Sequence, residues 1–210
     1  KADEALTGST AQLKQALDGT ITGGYKGNIT LNDADNDNIQ ATDLSIVAGT
    51  TTGSITVQNA IQIEGTPKQI ADAFKANKFT ATKAKANLSN TAHTLDDLID
   101  INNRTNGAIN IHAAQKAITL EGSTSNIKAA LDGLGADYYE GAIIINDGPG
   151  SAIQANHLKT IADTTSGTVT VAQAINITGS SVQVAAAMTA AKFTASTAKI
   201  TLNGAEPLTV

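Results

Sequence analysis

Residues 8–90 align with residues 122–204 at a constant offset of 114 and without a gap. Gly8-Ser9-Thr10 falls on Gly122-Ser123-Thr124, and Leu17-Asp18-Gly19 on Leu131-Asp132-Gly133. Asn32-Asp33 falls on Asn146-Asp147, Ile39-Gln40-Ala41 on Ile153-Gln154-Ala155, and Lys78-Phe79-Thr80-Ala81 on Lys192-Phe193-Thr194-Ala195. About 38 of roughly 83 aligned positions are identical, far beyond what shared composition produces. A fainter period lies beneath. Gly53-Ser54-Ile55-Thr56-Val57 returns as Gly107-Ala108-Ile109-Asn110-Ile111, and Ile70-Ala71-Asp72-Ala73-Phe74 as Ile127-Lys128-Ala129-Ala130-Leu131. These spacings define a unit of roughly 57 residues with a small indel. Such a unit cannot close a core alone and buries its apolar face against its neighbours.

Two kinds of helix are expected in each unit. The first opens on a capping box: Ser9 with Gln12, Thr66 with Gln69, Ser180 with Gln183, and a weaker Ser123 or Thr124 with Asn126. Pro67 suits the first helical position, where its missing N–H has no partner to lose. Apolar residues follow at helical spacing, as in Leu13, Ala16 and Leu17 or Ile70, Ala73 and Phe74. The second kind is shorter, over Leu44–Ala48, Leu95–Ile101 and Leu158–Ala162, with Thr42, Thr94 and Asn156 as expected caps.

Alternation predicts strands at Ile29–Leu31, Ile55–Val57, Ile61–Ile63, Ile109–Ile111, Ile118–Leu120, Ile143–Ile145, Val169–Val171, Ile175–Ile177 and Ile200–Leu202. The short gaps from Val57 to Ile61 and from Val171 to Ile175 suggest one long strand with a corner. Strands alternating with helices through right-handed crossovers pair in parallel. The expected fold is therefore α/β: an elongated solenoid of about 57-residue repeats, with a β-helix carrying helical insertions as the alternative. Residues 1–117 form the first tandem repeat pair and 118–210 a second, truncated pair, in one continuous solenoid.

Composition narrows the function. The chain has 210 residues, 41% hydrophobic and only 3% aromatic, so its core is built from Ile, Leu, Val and Ala. That suits thin layers repeated many times. A net charge of −5 with Arg104 as the only arginine leaves no basic footprint for nucleic acid. Cysteine is absent, which excludes disulfides and thiolate metal sites. No apolar stretch is long enough to span a membrane. The start at Lys1 and the phase of the repeat suggest a fragment. Neither Lys1–Leu6 nor Glu206–Val210 reads as a polar cap, which predicts end-to-end contact with other copies through open solenoid ends.

Sites of chemistry are few. In Asn32-Asp33-Ala34-Asp35-Asn36-Asp37-Asn38, the alternating Asp33, Asp35 and Asp37 supply the oxygens of a calcium loop. The EF-hand layout fails, since Asn38, Gln40 and Leu44 stand where Gly, an aliphatic residue and Glu belong. The second copy has Gly148-Pro149-Gly150-Ser151 instead. A solvated turn is the competing reading, and calcium is at most a weak ligand. His93, His112 and His157 lack ligand spacing and are expected on the surface or in loops. Arg104 reads as a solvated cation in a Thr/Asn-rich turn. Gly133-Leu134-Gly135 followed by Tyr138 fails the dinucleotide fingerprint, and no P-loop or G-x-S-x-G occurs. Solenoid lyases and hydrolases want clustered acids, cations and aromatic platforms. One arginine and no tryptophan argue against them. Tyr25 with Tyr139, and Phe79 with Phe193, recur across the copies, which marks them as packing residues.

The pattern Leu-x-x-[Ile/Val]-Ala-x-Thr-Thr-x-Gly-x-[Ile/Val]-Thr-Val, then Ile-x-Ile-x-Gly-[Ser/Thr] and an Ala-rich helix, runs over Leu44–Phe74 and Leu158–Met188. It resembles the Thr/Ala/Asn/Gly-rich repeats of giant cell-surface proteins of marine cyanobacteria and related bacteria. The resemblance implies an extracellular, cysteine-poor structural or adhesive protein. The expectation is a non-enzymatic repeat segment of a surface layer or self-assembling filament, with no catalytic or cofactor-binding residue. A carbohydrate-active or glycan-binding solenoid and a phage fibre segment are the alternatives.

Overall fold

The computed structural model describes residues 3–18, 24–75, 79–134, 138–190 and 193–203. The chain ends on which the end-to-end expectation rests (1–2 and 204–210), Gly19, Gly135, Lys78 and Lys192 lie outside them. The chain divides into two compact units, Lys1–Gln115 and Lys116–Val210.

The first unit runs β1 (Leu6–Gly8), α1 (Thr10–Leu17), β2 (Ile29–Leu31), β3 (Asn38–Gln40), α2 (Ala41–Thr50), β4 (Ile55–Val57), β5 (Gln62–Gly65), α3 (Pro67–Lys75), β6 (Phe79–Thr80), β7 (Lys85–Leu88), α4 (Leu95–Asn102) and β8 (Ile109–Asn110). The second runs β9 (Leu120–Gly122), α5 (Thr124–Leu131), β10 (Ile143–Ile145), β11 (Ala152–Gln154), α6 (Ala155–Thr164), β12 (Val169–Val171), β13 (Asn176–Gly179), α7 (Ser181–Met188), β14 (Phe193–Thr194) and β15 (Lys199–Leu202). Each element from β1 to β7 has its counterpart at the offset of 114. Among the described residues the fold is mixed α/β, with seven α-helices and four sheets.

Every strand pair is parallel. The first unit holds the sheets β1-β2-β4-β6 and β3-β5-β7-β8, and the second β9-β10-β12-β14 and β11-β13-β15. Partners lie 23 to 26 residues apart along the chain: Leu6 beside Ile29, Ile29 beside Ile55, Ile63 beside Ala86, Ala86 beside Ile109. Along the chain the strands fall into successive segments, each with a leading, a middle and a closing strand that pair in that order. These are β1, β2 and β4 in the first segment, then β5, β7 and β8, then β9, β10 and β12. Consecutive segments within a unit occupy different sheets, so β1 and β5 are equivalent in sequence yet lie in separate ladders.

The reciprocal caps form as the spacing predicts. Ser9, Thr94 and Ser180 each accept the amide of the third helical residue, whose side chain accepts theirs. Thr66 and Gln69 exchange the same two bonds, with Pro67 first in the helix. Ser123 caps α5. The expected caps Thr42 and Asn156 are not caps. α2 and α6 are instead capped two residues earlier, by the extended Gln40 and Gln154, with no side-chain cap bond. The cause is packing: buried Ala41 and Ala155 press against Gly65 and Gly179, where an added Cβ would meet theirs at 3.1 and 3.2 Å. The expected corner strand is also two strands. β4 and β5 belong to different sheets, as do β12 and β13. The strand expected over Ile118–Leu120 begins at Leu120.

Helices stack beside the ladders: α1 on α2, α2 on α3, α3 on α4, and in the second unit α5 on α6 and α6 on α7. The core is aliphatic, as the composition requires. Ile29, Ile55 and Phe79 stand side by side and are buried, and so do Ile63, Ala86 and Ile109. Outward positions of the first ladder are all threonine: Thr7, Thr30, Thr56 and Thr80. No helix among the described residues is long and apolar enough to cross a membrane.

Candidate functional site

The polar residues that recur most faithfully build two hydrogen-bonded devices. The first is a bracket between middle and closing strands. After α2 the chain reads Thr51-Thr52-Gly53. Thr51 Oγ1 donates to the Gly27 carbonyl just before β2 (2.8 Å) and accepts the Gly53 amide just before β4 (2.9 Å). Thr165 does the same with the Gly141 carbonyl (2.8 Å) and the Gly167 amide (2.9 Å). Thr105 donates to the Ala84 carbonyl and accepts the Gly107 amide, bracketing β7 and β8. All three threonines are buried. Glycine is required because the backbones touch there: a Cβ on Gly53, Gly107 or Gly167 would lie 2.3, 2.0 or 2.3 Å from the neighbouring carbonyl oxygen. The Thr-x-Gly recurrence is visible in the sequence, but its partner lies more than twenty residues away.

The second device is a carboxylate lock. Asp33, just past β2, is buried and accepts the Thr10 amide (3.0 Å to each oxygen) and the Thr10 hydroxyl (2.8 Å). The carboxylate satisfies an otherwise orphaned first-turn amide and faces the positive end of α1. Asp147 holds Thr124 in the same way, at 2.8 and 2.5 Å.

Asp35 and Asp37 have separate tasks. Asp35 accepts the Ala60 amide (2.7 Å), and Asp37 caps the Ala34 amide (2.8 Å). Between them Asn36 takes a left-handed conformation (φ 66°), which Gly150 takes at the equivalent place in the second copy (φ 78°). The acidic loop and the Gly148-Pro149-Gly150-Ser151 loop are thus the same turn with different side chains. Each candidate calcium ligand already serves a protein donor. Among the described residues, no three His, Asp or Glu side chains gather at metal-binding distance.

His93 lies in a loop, as expected, just before the Thr94 cap of α4, but is buried rather than on the surface. Burial holds its imidazole below the usual pKa, partly opposed by the Asp97 carboxylate. His112 is exposed, and His157 is half-buried on α6. Arg104 is exposed in a turn. Tyr25, Tyr139 and Phe79 are buried. Tyr139 donates to the Ile118 carbonyl at 2.7 Å, and burial raises its phenol pKa. Phe79 packs on Phe74 with ring centroids 5.5 Å apart. These aromatics are packing residues.

No known protein family, curated protein or solved structure matches this chain. What defines it is its own internal wiring: parallel ladders pinned by Thr-x-Gly brackets and, at alternate segments, by an Asp–Thr lock.

Proposed function

We propose that the chain is a non-enzymatic structural and adhesive repeat segment of an extracellular surface protein. In this reading its ladders belong to one elongated solenoid of about 57-residue units that stacks on further copies of its own kind. The observation that carries the reading is the reuse of one wiring diagram, with three brackets and two locks at equivalent positions. Selection for a scaffold repeats such bonds, whereas a catalytic site breaks the repeat where its chemistry sits. The buried hydroxyls and carboxylates support it too, because they are spent on backbone groups of neighbouring strands. Placement outside the cell rests on the cysteine-free, Thr/Ala/Asn/Gly-rich composition and on the resemblance it carries. Calcium enters only as a weak ligand of the Asp33–Asp37 turn.

An antibody raised against the chain tests the location. It is expected to label intact cells of the source organism, and labelling only after permeabilisation would refute an extracellular role. Incubation with a panel of polysaccharides tests the absence of catalysis. No new reducing or unsaturated ends are expected, and their steady release would install the carbohydrate-active reading instead.

A further inference from the structure

The three Thr-x-Gly brackets share one geometry and differ at the residue between. Thr52 stands before Gly53, Ser166 before Gly167, and Asn106 before Gly107. Asn-Gly occurs twice in the chain, and of the two pairs only Asn106-Gly107 lies wholly within the described residues. An asparagine side chain closes most readily on its own main chain before glycine, which has no Cβ to hinder the approach of its nitrogen. Glycine is fixed here by packing, since an added Cβ would lie 2.0 Å from the Ala84 carbonyl oxygen. The asparagine is not so fixed. It is exposed, and among the described residues no hydrogen bond holds its side-chain amide. Thr52 and Ser166, at the equivalent places, carry no side-chain carbonyl to attack.

The fold holds the segment away from that reaction. The Gly107 amide donates to Thr105 Oγ1 (2.9 Å), and Thr105 donates in turn to the Ala84 carbonyl. The Asn106 amide donates to the Thr82 carbonyl (3.0 Å), which ties the same residues to the turn before β7. To attack, the Gly107 nitrogen must shed its proton and swing about the Asn106 Cα–C bond until it reaches Cγ. The bracket opposes both movements, because it engages the N–H and pins the backbone on either side. Attack therefore waits on an opening of the junction between β7 and β8.

We infer that Asn106 is a site of spontaneous covalent modification gated by the Thr105 bracket, and that its main product unties β8. In the open state the Gly107 nitrogen bonds to Asn106 Cγ and the Cγ–Nδ2 bond breaks. Ammonia leaves with the proton that Gly107 gives up. Water then opens the five-membered imide at either carbonyl. One opening leaves aspartate in an ordinary main chain. The other routes the main chain through the side chain, giving isoaspartate with one extra methylene between residues 106 and 107. That extra atom falls inside a bracket whose ends are both fixed. Thr105 can no longer meet the Ala84 carbonyl while Gly107 sits against it, and the register of Ile109 beside Ala86 and Asn110 beside Asn87 is lost. An opening of this junction is thereby recorded in covalent form, irreversibly. The Thr51 and Thr165 brackets open and close without such a trace.

The modification depends neither on the location of the chain nor on its assembly, so its test bears on the bracket alone. The full chain is incubated at neutral pH, folded and in urea, then digested with trypsin. The peptide 105–116 is followed by mass spectrometry with fragmentation that tells aspartate from isoaspartate. The same peptide holds Asn110, which should stay an amide because branched Ile111 follows it. Conversion at Asn106 is expected to be about tenfold or more faster in urea than in the folded chain, and about fivefold or more faster in folded Thr105→Val. Ser166→Asn keeps Thr165 and Gly167, so it should give the second unit the same gated site and leave melting unchanged. Should Thr105→Val lose its fold, the Ser166→Asn site reads the gating instead: slow when folded, fast in urea. In the isoaspartate fraction, exchange of the Ala86 amide, which donates to the Ala108 carbonyl at 3.0 Å, should quicken. The proposal is overturned if Asn106 converts no faster in urea or in folded Thr105→Val than in the native chain, or if isoaspartate there leaves the Ala86 amide as protected as before.

Discussion

Asp33 closes onto Thr10 across twenty-three residues, taking both its amide and its hydroxyl, and Asp147 closes onto Thr124 in the same way. The middle strand is thereby fixed against the first turn of the helix that follows the leading strand. Asp33→Ala strands a buried amide and hydroxyl at once, and should cost about 1–3 kcal/mol. At about 2–4 °C per kcal/mol for a chain of this size, a melting curve resolves that loss. Asp35→Ala and Asp37→Ala, which touch exposed loop amides, should each cost about 0.5 kcal/mol or less.

Calcium should stabilise the chain little, because Asp33 is committed to Thr10. A ligand present at about its dissociation constant adds only about 0.4 kcal/mol. The melting temperature is expected to move by a degree or two in millimolar calcium. A rise of several degrees, lost in Asp35→Ala, would make the turn a genuine calcium site.

Bracket residues should be costlier than their neighbours. Thr165→Val removes one donor and one acceptor from buried backbone partners, at about 1–3 kcal/mol. Gly167→Ala forces a Cβ to within 2.3 Å of the Gly141 oxygen, so the two strands must part. Its cost should exceed about 3 kcal/mol, while Ser166→Ala beside it stays within about 0.5 kcal/mol. Chemical denaturation of the three variants ranks them.

Much of this was legible in the sequence, and what was not has physical causes. Ser9 with Gln12 and Ser180 with Gln183 are local reciprocal devices, so spacing alone reveals them. β2, β4, β10 and β12 alternate branched residues and announce themselves. β1, β6 and β7 do not, since Leu-Thr-Gly, Phe-Thr and Lys-Ala-Asn-Leu become strands only because a neighbour 23 or 24 residues away lies in register. Thr42 and Asn156 look like caps locally, but the burial of Ala41 and Ala155 decides where those helices begin. The acidic run suggested one cation site for the same reason: partners at Thr10 and Ala60, remote in sequence, divide its carboxylates among them.

Strand phase gives a sharp contrast. Ile63 and Ile177 are 0% exposed, so Ile63→Asp and Ile177→Asp should each cost more than about 4 kcal/mol by burying an unpaired carboxylate. Ile200→Asp, in register beside Ile177 but 52% exposed, should cost about 0.5 kcal/mol or less. Comparable melting of all three would contradict the assignment of buried and exposed strand positions.

His93 gives the fold an acid-side weakness. Its folded pKa is depressed below the ordinary 6.5 by burial, so the unfolded chain takes up the proton first. Stability should be full above about pH 6.5 and decline as the pH falls from there toward the depressed folded value. An NMR titration of the His93 ring should show a midpoint below 6.5, and His93→Gln should flatten that part of the stability profile. A midpoint above 6.5 would mean that Asp97 outweighs burial.

The central claim is that these ladders belong to a structural array that grows by stacking. Light scattering on the full chain at rising concentration, with electron microscopy of the same samples, addresses it most directly. The account predicts weak, reversible association that lengthens particles in one dimension at constant width, with strands about 4.8 Å apart along the long axis. A particle of fixed mass and shape at every concentration would contradict it.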